Sequence, residues 1–169
     1  MVFAGTFNGQ IFGVKMLSET FISKSYIRHV KLNCIPEIKA LNGGSLIGAR
    51  WQQDGASIHR NPNFMEYMDQ QFDGRVLAKG AETHGRRGHS WAPRSPDLTV
   101  CDFALWPILK RRVYLNPRPR TLEALEERIL TEIAELNQER EVIIKCHLSV
   151  RRRAQLYVQK NGGHFEMFR

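Results

Sequence analysis

Apolar residues recur at helical spacing in two stretches near the C-terminal end of the chain. The first stretch has five such residues three or four positions apart: Leu122, Leu125, Ile129, Ile133 and Leu136. The second stretch repeats this spacing: Ile143, Cys146, Val150, Ala154 and Tyr157. Thr121 precedes the first stretch as a helix cap, and Asn161 with the glycines after it follows the second as a stop signal. The pattern therefore predicts a C-terminal helical pair over residues 121–160.

The first part of the chain changes from a strand pattern to a helix pattern. Residues 2–7 predict a short strand that ends at the Asn8-Gly9 turn. Apolar residues at positions 12–26 then follow helical spacing, and we expect Pro36 to end that region because proline interrupts a helix.

Turn signals divide the middle of the chain into further short elements. Residues 45–53 predict a buried strand that ends at Asp54. Asn61-Pro62 opens a helix, since Asn caps helices and Pro is favoured in their first turn. Residues 75–78 predict another short strand. This order of elements predicts the α/β class, with a short mixed sheet flanked by helices.

A stretch without apolar periodicity precedes the next predicted helix. Residues 79–90 are rich in Gly, His and Arg, and they predict a mobile loop. Residues 91–97 contain two prolines and predict a rigid turn, followed by a helix over residues 100–114. Pro107 falls inside that helix, so we expect a kink or a late start there.

The composition fits one folded domain over residues 1–169. The 169 residues include 25 Lys and Arg against 17 Asp and Glu, which gives a net charge of +8. Apolar runs are far shorter than the roughly 20 residues that cross a bilayer, so we expect no membrane partner. Three widely spaced cysteines predict free thiols in a reducing compartment rather than disulfides or a zinc site.

The positive charges are clustered. Arg86 and Arg87 form one group, and the larger groups are Lys110, Arg111, Arg112, Arg118 and Arg120, then Arg151, Arg152 and Arg153. Such clusters indicate a polyanion partner, because phosphate contacts release condensed counterions. We therefore predict DNA binding by the two larger groups. The alternative is that these residues only solvate helix faces.

Two carboxylates are candidates for metal binding. Asp54 ends a predicted strand, and Asp102 starts a predicted helix. Carboxylate oxygens suit Mg²⁺ or Mn²⁺, and a pair of such ions can activate water and stabilise the leaving oxygen in phosphodiester cleavage. Spacing alone leaves open the alternative that both residues are ordinary surface groups.

Ordered motifs around these two residues resemble a known family. Residues 51–56 read Trp-Gln-Gln-Asp-Gly-Ala with His59 beyond them, and residues 91–99 read Trp-Ala-Pro-Arg-Ser-Pro-Asp-Leu-Thr with Asp102 beyond them. They resemble the second and third catalytic blocks of Tc1/mariner-like transposases, which belong to the DDE superfamily with an RNase H-like fold. Further matches follow in order at residues 110–114, 117–122 and 162–166.

The resemblance implies a partial RNase H-like fold and a role in DNA transposition. It implies that Asp54 and Asp102 are the second and third metal-holding, catalytic acids, with Mg²⁺ or Mn²⁺ as cofactor, DNA as partner and the nucleus as location. Asp97 is expected to order its turn. For His59 we favour a local hydrogen bond over a contact with the DNA backbone.

The sequence also departs from the family pattern. The family's first catalytic Asp precedes a segment similar to residues 5–9, and no Asp precedes Asp54 here. We therefore expect a single truncated catalytic core, without the family's helix-turn-helix region, that is inactive alone. The spacing between the two acids is long, which predicts a loop insertion at residues 79–90. Absent first strands would leave sheet edges exposed and favour a homo-oligomer.

Two further functional readings stay open. The chain could be a non-catalytic nucleic-acid-binding protein derived from a transposon, which keeps only the basic surface. A transposon relic with no selected role is the third reading. An in-frame strand bearing an Asp upstream of Met1 would favour the enzyme-derived reading, and stop codons there would favour a relic.

Overall fold

The computed structural model describes residues 1–92, 95–115 and 117–159, which divide into two compact units. Of the described residues, those in 1–3 and 17–95 form the first unit, and those in 4–16 and 96–159 form the second. The described part contains helices and two two-stranded sheets, so the coarse α/β class is confirmed. The strands are β1 (Val2–Phe7), β2 (Gln10–Met16), β3 (Trp51–Gln52) and β4 (Val76–Leu77). The helices are α1 (Ser23–His29), α2 (Ile35–Leu41), α3 (Pro62–Gln71), α4 (Trp106–Val113), α5 (Leu122–Gln138) and α6 (Arg140–Gln159).

β1 and β2 form a hairpin, so the prediction of a helical pattern over residues 12–26 is wrong for its first part. Asn8 and Gly9 both have positive φ, 48° and 79°, which is the backbone of the tight turns that join antiparallel strands. A Cβ on Gly9 would lie 2.9 Å from Cγ1 of Ile144. The turn therefore needs glycine for both its backbone and its close packing.

β3 and β4 pair in parallel in the first unit, with Trp51 opposite Val76. The predicted strand over residues 45–53 is thus much shorter than expected. The reason lies in the turn before it, where the Asn42 side chain donates hydrogen bonds to the carbonyls of Ser45 and Ile47. α3 begins as predicted, because the Asn61 side chain accepts a hydrogen bond from the Phe64 N–H.

Pro36 and Pro107 lie in the first turns of α2 and α4. Each of these helices directly follows a π-helical turn, which is wider than an α-helical turn. Residues 30–34 and 101–105 form these turns, in which the Ile35 N–H bonds to the Val30 carbonyl and the Trp106 N–H bonds to the Cys101 carbonyl. Pro36 and Pro107 are the second residues of α2 and α4, and each follows one residue after a wider turn. The expectation that Pro36 ends its region is therefore wrong. At Pro107 the predicted helix is present as the π-helical turn over Cys101–Leu105 followed directly by α4, which begins at Trp106.

The core of the second unit lies where α4 and α5 pack with the hairpin. Its buried side chains are Ala4, Ile11, Leu105, Leu109, Ile133 and Leu136. The Thr121 side chain accepts a hydrogen bond from the Ala124 N–H and caps α5, as predicted. α6 is also present, and its predicted stop at Asn161 lies outside the described residues. No helix in the described ranges is long and apolar enough to cross a membrane.

Candidate functional site

Asp54 lies two residues after β3 in the first unit, with its side chain 54% exposed. Its Oδ1 atom is 2.7 Å from Nδ1 of His59 and accepts a hydrogen bond of 3.1 Å from the Ala56 N–H. His59 belongs to a single 3₁₀ turn over Ser57–Arg60. The prediction of a local hydrogen bond for His59 is therefore confirmed.

These contacts keep the Asp54 carboxylate ionised. The hydrogen bond from His59 is the largest influence, and it lowers the pKa of Asp54 below its usual value, with a further contribution from the Ala56 N–H. Both contacts fall on Oδ1. An ionised, half-exposed carboxylate with contacts on one oxygen is a suitable donor for a hard divalent cation.

A buried amide fixes the backbone around Asp54. The Gln53 Oε1 atom accepts hydrogen bonds from the Tyr26 hydroxyl at 2.9 Å and the Trp51 Nε1–H at 3.0 Å. Its Nε2 atom donates to the His59 carbonyl at 3.0 Å, and the Tyr26 and His59 rings lie 4.8 Å apart. We call Tyr26, Trp51, Gln53 and His59 the Gln53 network. It holds both ends of the segment that carries Asp54.

Asp102 belongs to the second unit, in the π-helical turn over Cys101–Leu105. It is exposed, and its N–H bonds to the Thr99 carbonyl at 2.9 Å. Asp97 is buried in the preceding 3₁₀ turn, which fits its predicted structural role. Across residues 1–92, 95–115 and 117–159, no three His, Cys, Asp or Glu side chains gather into a metal-binding group. The shared metal site of Asp54 and Asp102 thus stays a prediction.

Most of the predicted DNA-binding residues are exposed in the second unit. The exposed members are Lys110, Arg111, Arg118, Arg120, Arg151 and Arg152. Within the described part of the chain, none of these six forms a salt bridge. We call these six residues the basic surface. Their charges are available to a partner and to solvent.

Arg112, which was also predicted to bind DNA, makes a contact within the protein. Its guanidinium donates two hydrogen bonds to the Glu139 carboxylate, at 3.0 and 2.7 Å, in a forked arrangement. The hydrogen bonding to Glu139 raises the pKa of Arg112. This pair joins α4 to the residue between α5 and α6, so the Arg112 charge is largely satisfied within the protein.

Arg153 is also structural, although it follows Arg151 and Arg152 directly. Its side chain is only 8% exposed, its Nη1 atom donates to the Asp97 carbonyl at 2.9 Å, and its guanidinium lies 3.9 Å from the centre of the Phe103 ring. Buried arginines need such partners, and a stacked ring adds to the attraction. We therefore assign Arg153 to packing of α6 and leave it out of the basic surface.

The loop at residues 79–90 contains internal contacts that use its own arginines. Arg86 donates to the Gly80 carbonyl at 3.0 Å, and Arg87 forms an ion pair with Asp73. The loop contains turns and one bridge, between Leu77 and His89, and no helix or longer strand. Residues 93–94 and 162–166 of the matched motifs lie outside the described residues.

The sequence patterns do not indicate the roles of two residues, Gln53 and Arg128. Gln53 carries no charge and attracts attention only as a polar residue beside Asp54. Arg128 lies outside the basic clusters of the sequence, yet it lines the same groove as Arg118 and Arg120. Helical geometry offered a signal for Arg128, because it lies on the first turns of α5, close to the arginines that precede that helix.

Comparison with known proteins gives no family for the chain. No protein-family model matches the sequence, and no curated protein matches it. A functional proposal therefore rests on the residues, their contacts and the motif resemblance described above.

Proposed function

We propose that this chain binds DNA without sequence preference through the basic surface, and that it is a fragment of a Tc1/mariner-like transposase with a partial RNase H-like fold. The basic surface carries the proposal. Its six cations are exposed in one compact unit, and they have no acidic partner within the described ranges. Free cations on one unit suit a polymer with regularly spaced phosphates, because each contact releases counterions.

Arginine is well matched to this partner. Five of the six residues of the basic surface are arginines, and a planar guanidinium can donate two hydrogen bonds to one phosphate. Phosphate contacts position a protein on DNA but carry no sequence information. The expected binding is thus uniform across sequences and strongly dependent on salt.

The proposed catalytic part rests on Asp54, Asp102 and the motifs that contain them. Asp54 fits a metal ligand in its ionisation and half-exposure, and Asp102 is exposed at a helix start. Mg²⁺ or Mn²⁺, when bound, would activate water for phosphodiester cleavage. A common site for the two residues follows from the motif resemblance alone. The 169 residues contain no Asp before Asp54, so we expect no cleavage by this chain.

Binding to a labelled duplex tests the DNA-binding part of the proposal. We expect the double variant Arg151→Gln, Arg152→Gln to weaken binding at about 50 mM salt, since about two phosphate contacts are lost. The matched control is Lys24→Gln, Arg28→Gln, which removes the same charge from exposed positions of α1 in the first unit. Equal weakening by both variants would show a mere net-charge effect and contradict the basic surface.

Incubation with supercoiled plasmid in Mg²⁺ or Mn²⁺ tests the catalytic part. We expect no nicking by the chain. Divalent-dependent nicking that both Asp54→Ala and Asp102→Ala abolish would contradict the expected inactivity and establish the enzyme reading. DNA binding without nicking supports either an enzyme-derived fragment or the non-catalytic alternative, and the genomic sequence upstream of Met1 separates these two.

A further inference from the structure

A groove in the second unit lies between the segment before α5 and the first turns of that helix. Its volume is about 440 Å³, and three arginines line it: Arg118, Arg120 and Arg128. Among the residues that the structure describes, Glu127 is the only acidic one that lines it. Three positive groups against one negative group give the groove a net positive charge.

The arginines of this groove have no ion-pair partner in the part of the chain that the structure describes. Arg118 and Arg120 are exposed, whereas Arg128 is half-buried. A positively charged residue that is partly withdrawn from water and has no carboxylate partner is not fully compensated for the water it loses. An anion in the groove would supply that compensation.

The backbone that carries these three arginines is already restricted before a ligand binds. Pro117 and Pro119 flank Arg118, and proline fixes its own φ angle. Arg128 projects from α5, whose start is fixed by the Thr121 cap. The N-terminal end of this 17-residue helix adds a partial positive charge nearby. A groove that is partly ordered before binding loses less entropy when a ligand binds.

We propose that this groove binds backbone phosphates of DNA, with Arg128 as a contact beside Arg118 and Arg120. This inference rests on the proposed DNA-binding function and adds a place and a residue to it. Phosphate suits the groove because arginine forks match phosphate oxygens. An acidic peptide suits it less, since the described residues that line the groove include no aromatic or long aliphatic side chain that could hold a peptide.

Fluorescence anisotropy with a labelled duplex of about 20 base pairs tests the groove in the full chain. The loss of one phosphate contact makes the slope of log K against log salt less steep by about 0.9. Near about 50 mM salt, this corresponds to an affinity that is about tenfold lower. We expect this effect for Arg128→Gln. The matched control is Lys145→Gln, which removes one exposed positive charge from α6. We expect it to change the affinity less than twofold.

A variant with gained affinity separates binding from misfolding. Glu127→Gln removes the negative charge of Glu127 from the lining of the groove, so we expect tighter DNA binding by several fold. Equal affinities for Arg128→Gln and Lys145→Gln, or no gain for Glu127→Gln, would overturn the groove while DNA binding by the wild-type chain stands. No binding by the wild-type chain would overturn the proposed function itself. Competition by poly-glutamate as strong as by DNA would assign the groove to acidic peptides and overturn it as well.

Discussion

Replacing Gln53 by methionine should destabilise the first unit by several kcal/mol although the two side chains are similar in size. Gln53 is 6% exposed and Tyr26 is 1% exposed. Methionine removes the three hydrogen bonds that Gln53 makes with the Tyr26 hydroxyl, the Trp51 Nε1–H and the His59 carbonyl. Each unsatisfied buried group costs about 1–3 kcal/mol. His59 is only partly buried, so we expect a total of about 2–4 kcal/mol.

Tyr26→Phe is the matched comparison for this change. It removes the hydroxyl and leaves Gln53 Oε1 with its hydrogen bond from Trp51. The expected cost is therefore about 1 kcal/mol. The double variant has no Tyr26 hydroxyl that could be left without a hydrogen bond. We therefore expect the double variant to lose about 1 kcal/mol less unfolding free energy than the sum of the losses in the two single variants.

Urea unfolding followed by circular dichroism measures these free energies. The Gln53 network would be refuted as a stabilising feature if Gln53→Met stayed within about 0.5 kcal/mol of the wild type, which is the usual range for surface substitutions. Strict additivity of the two changes would refute the coupling between Tyr26 and Gln53. A change in the slope with urea would point to a different unfolded state and would require a second probe, such as Trp fluorescence.

Three further changes test local features of the fold. Thr121→Ala removes the cap of α5 and should cost about 1 kcal/mol in urea unfolding, whereas Thr131→Ala, inside that helix, should cost clearly less. Gly9→Ala adds a clash with Ile144 to backbone strain, so its cost should exceed that of Gly48→Ala, where φ is +77° and no atom lies within 4 Å; equal costs would contradict the packing. Burial lowers the pKa of His147 in the folded chain. As the pH falls below about 6.5, the His147 imidazole therefore binds a proton in the unfolded chain before it does so in the folded chain. Stability should therefore fall below that pH, and less steeply in His147→Gln.

Elements with strong local signals could be predicted from the sequence. The caps Asn61 and Thr121 act within three residues of their own positions, so the starts of α3 and α5 followed from the sequence directly. The strand β2 was missed because its apolar residues also fit helical spacing. The Asn8-Gly9 turn between two apolar stretches was the signal that favoured a hairpin.

Features that depend on distant contacts could not be predicted. Arg151, Arg152 and Arg153 are chemically identical in sequence, and only packing against Asp97 and Phe103 distinguishes the third from the others. Tyr26 and Gln53 are 27 positions apart and meet through a hydrogen bond. Pattern analysis at short range contains no information on either contact.

The salt dependence of DNA binding by the wild-type chain tests the central claim most directly. A labelled duplex is titrated at several salt concentrations, and log K is plotted against log salt. With about four to six phosphates neutralised, the slope should be about −4 to −5, since each contact contributes about −0.9. Duplexes of different sequence should give the same slope and the same affinity. A slope near zero, or negligible binding at low salt, would contradict DNA binding by the basic surface.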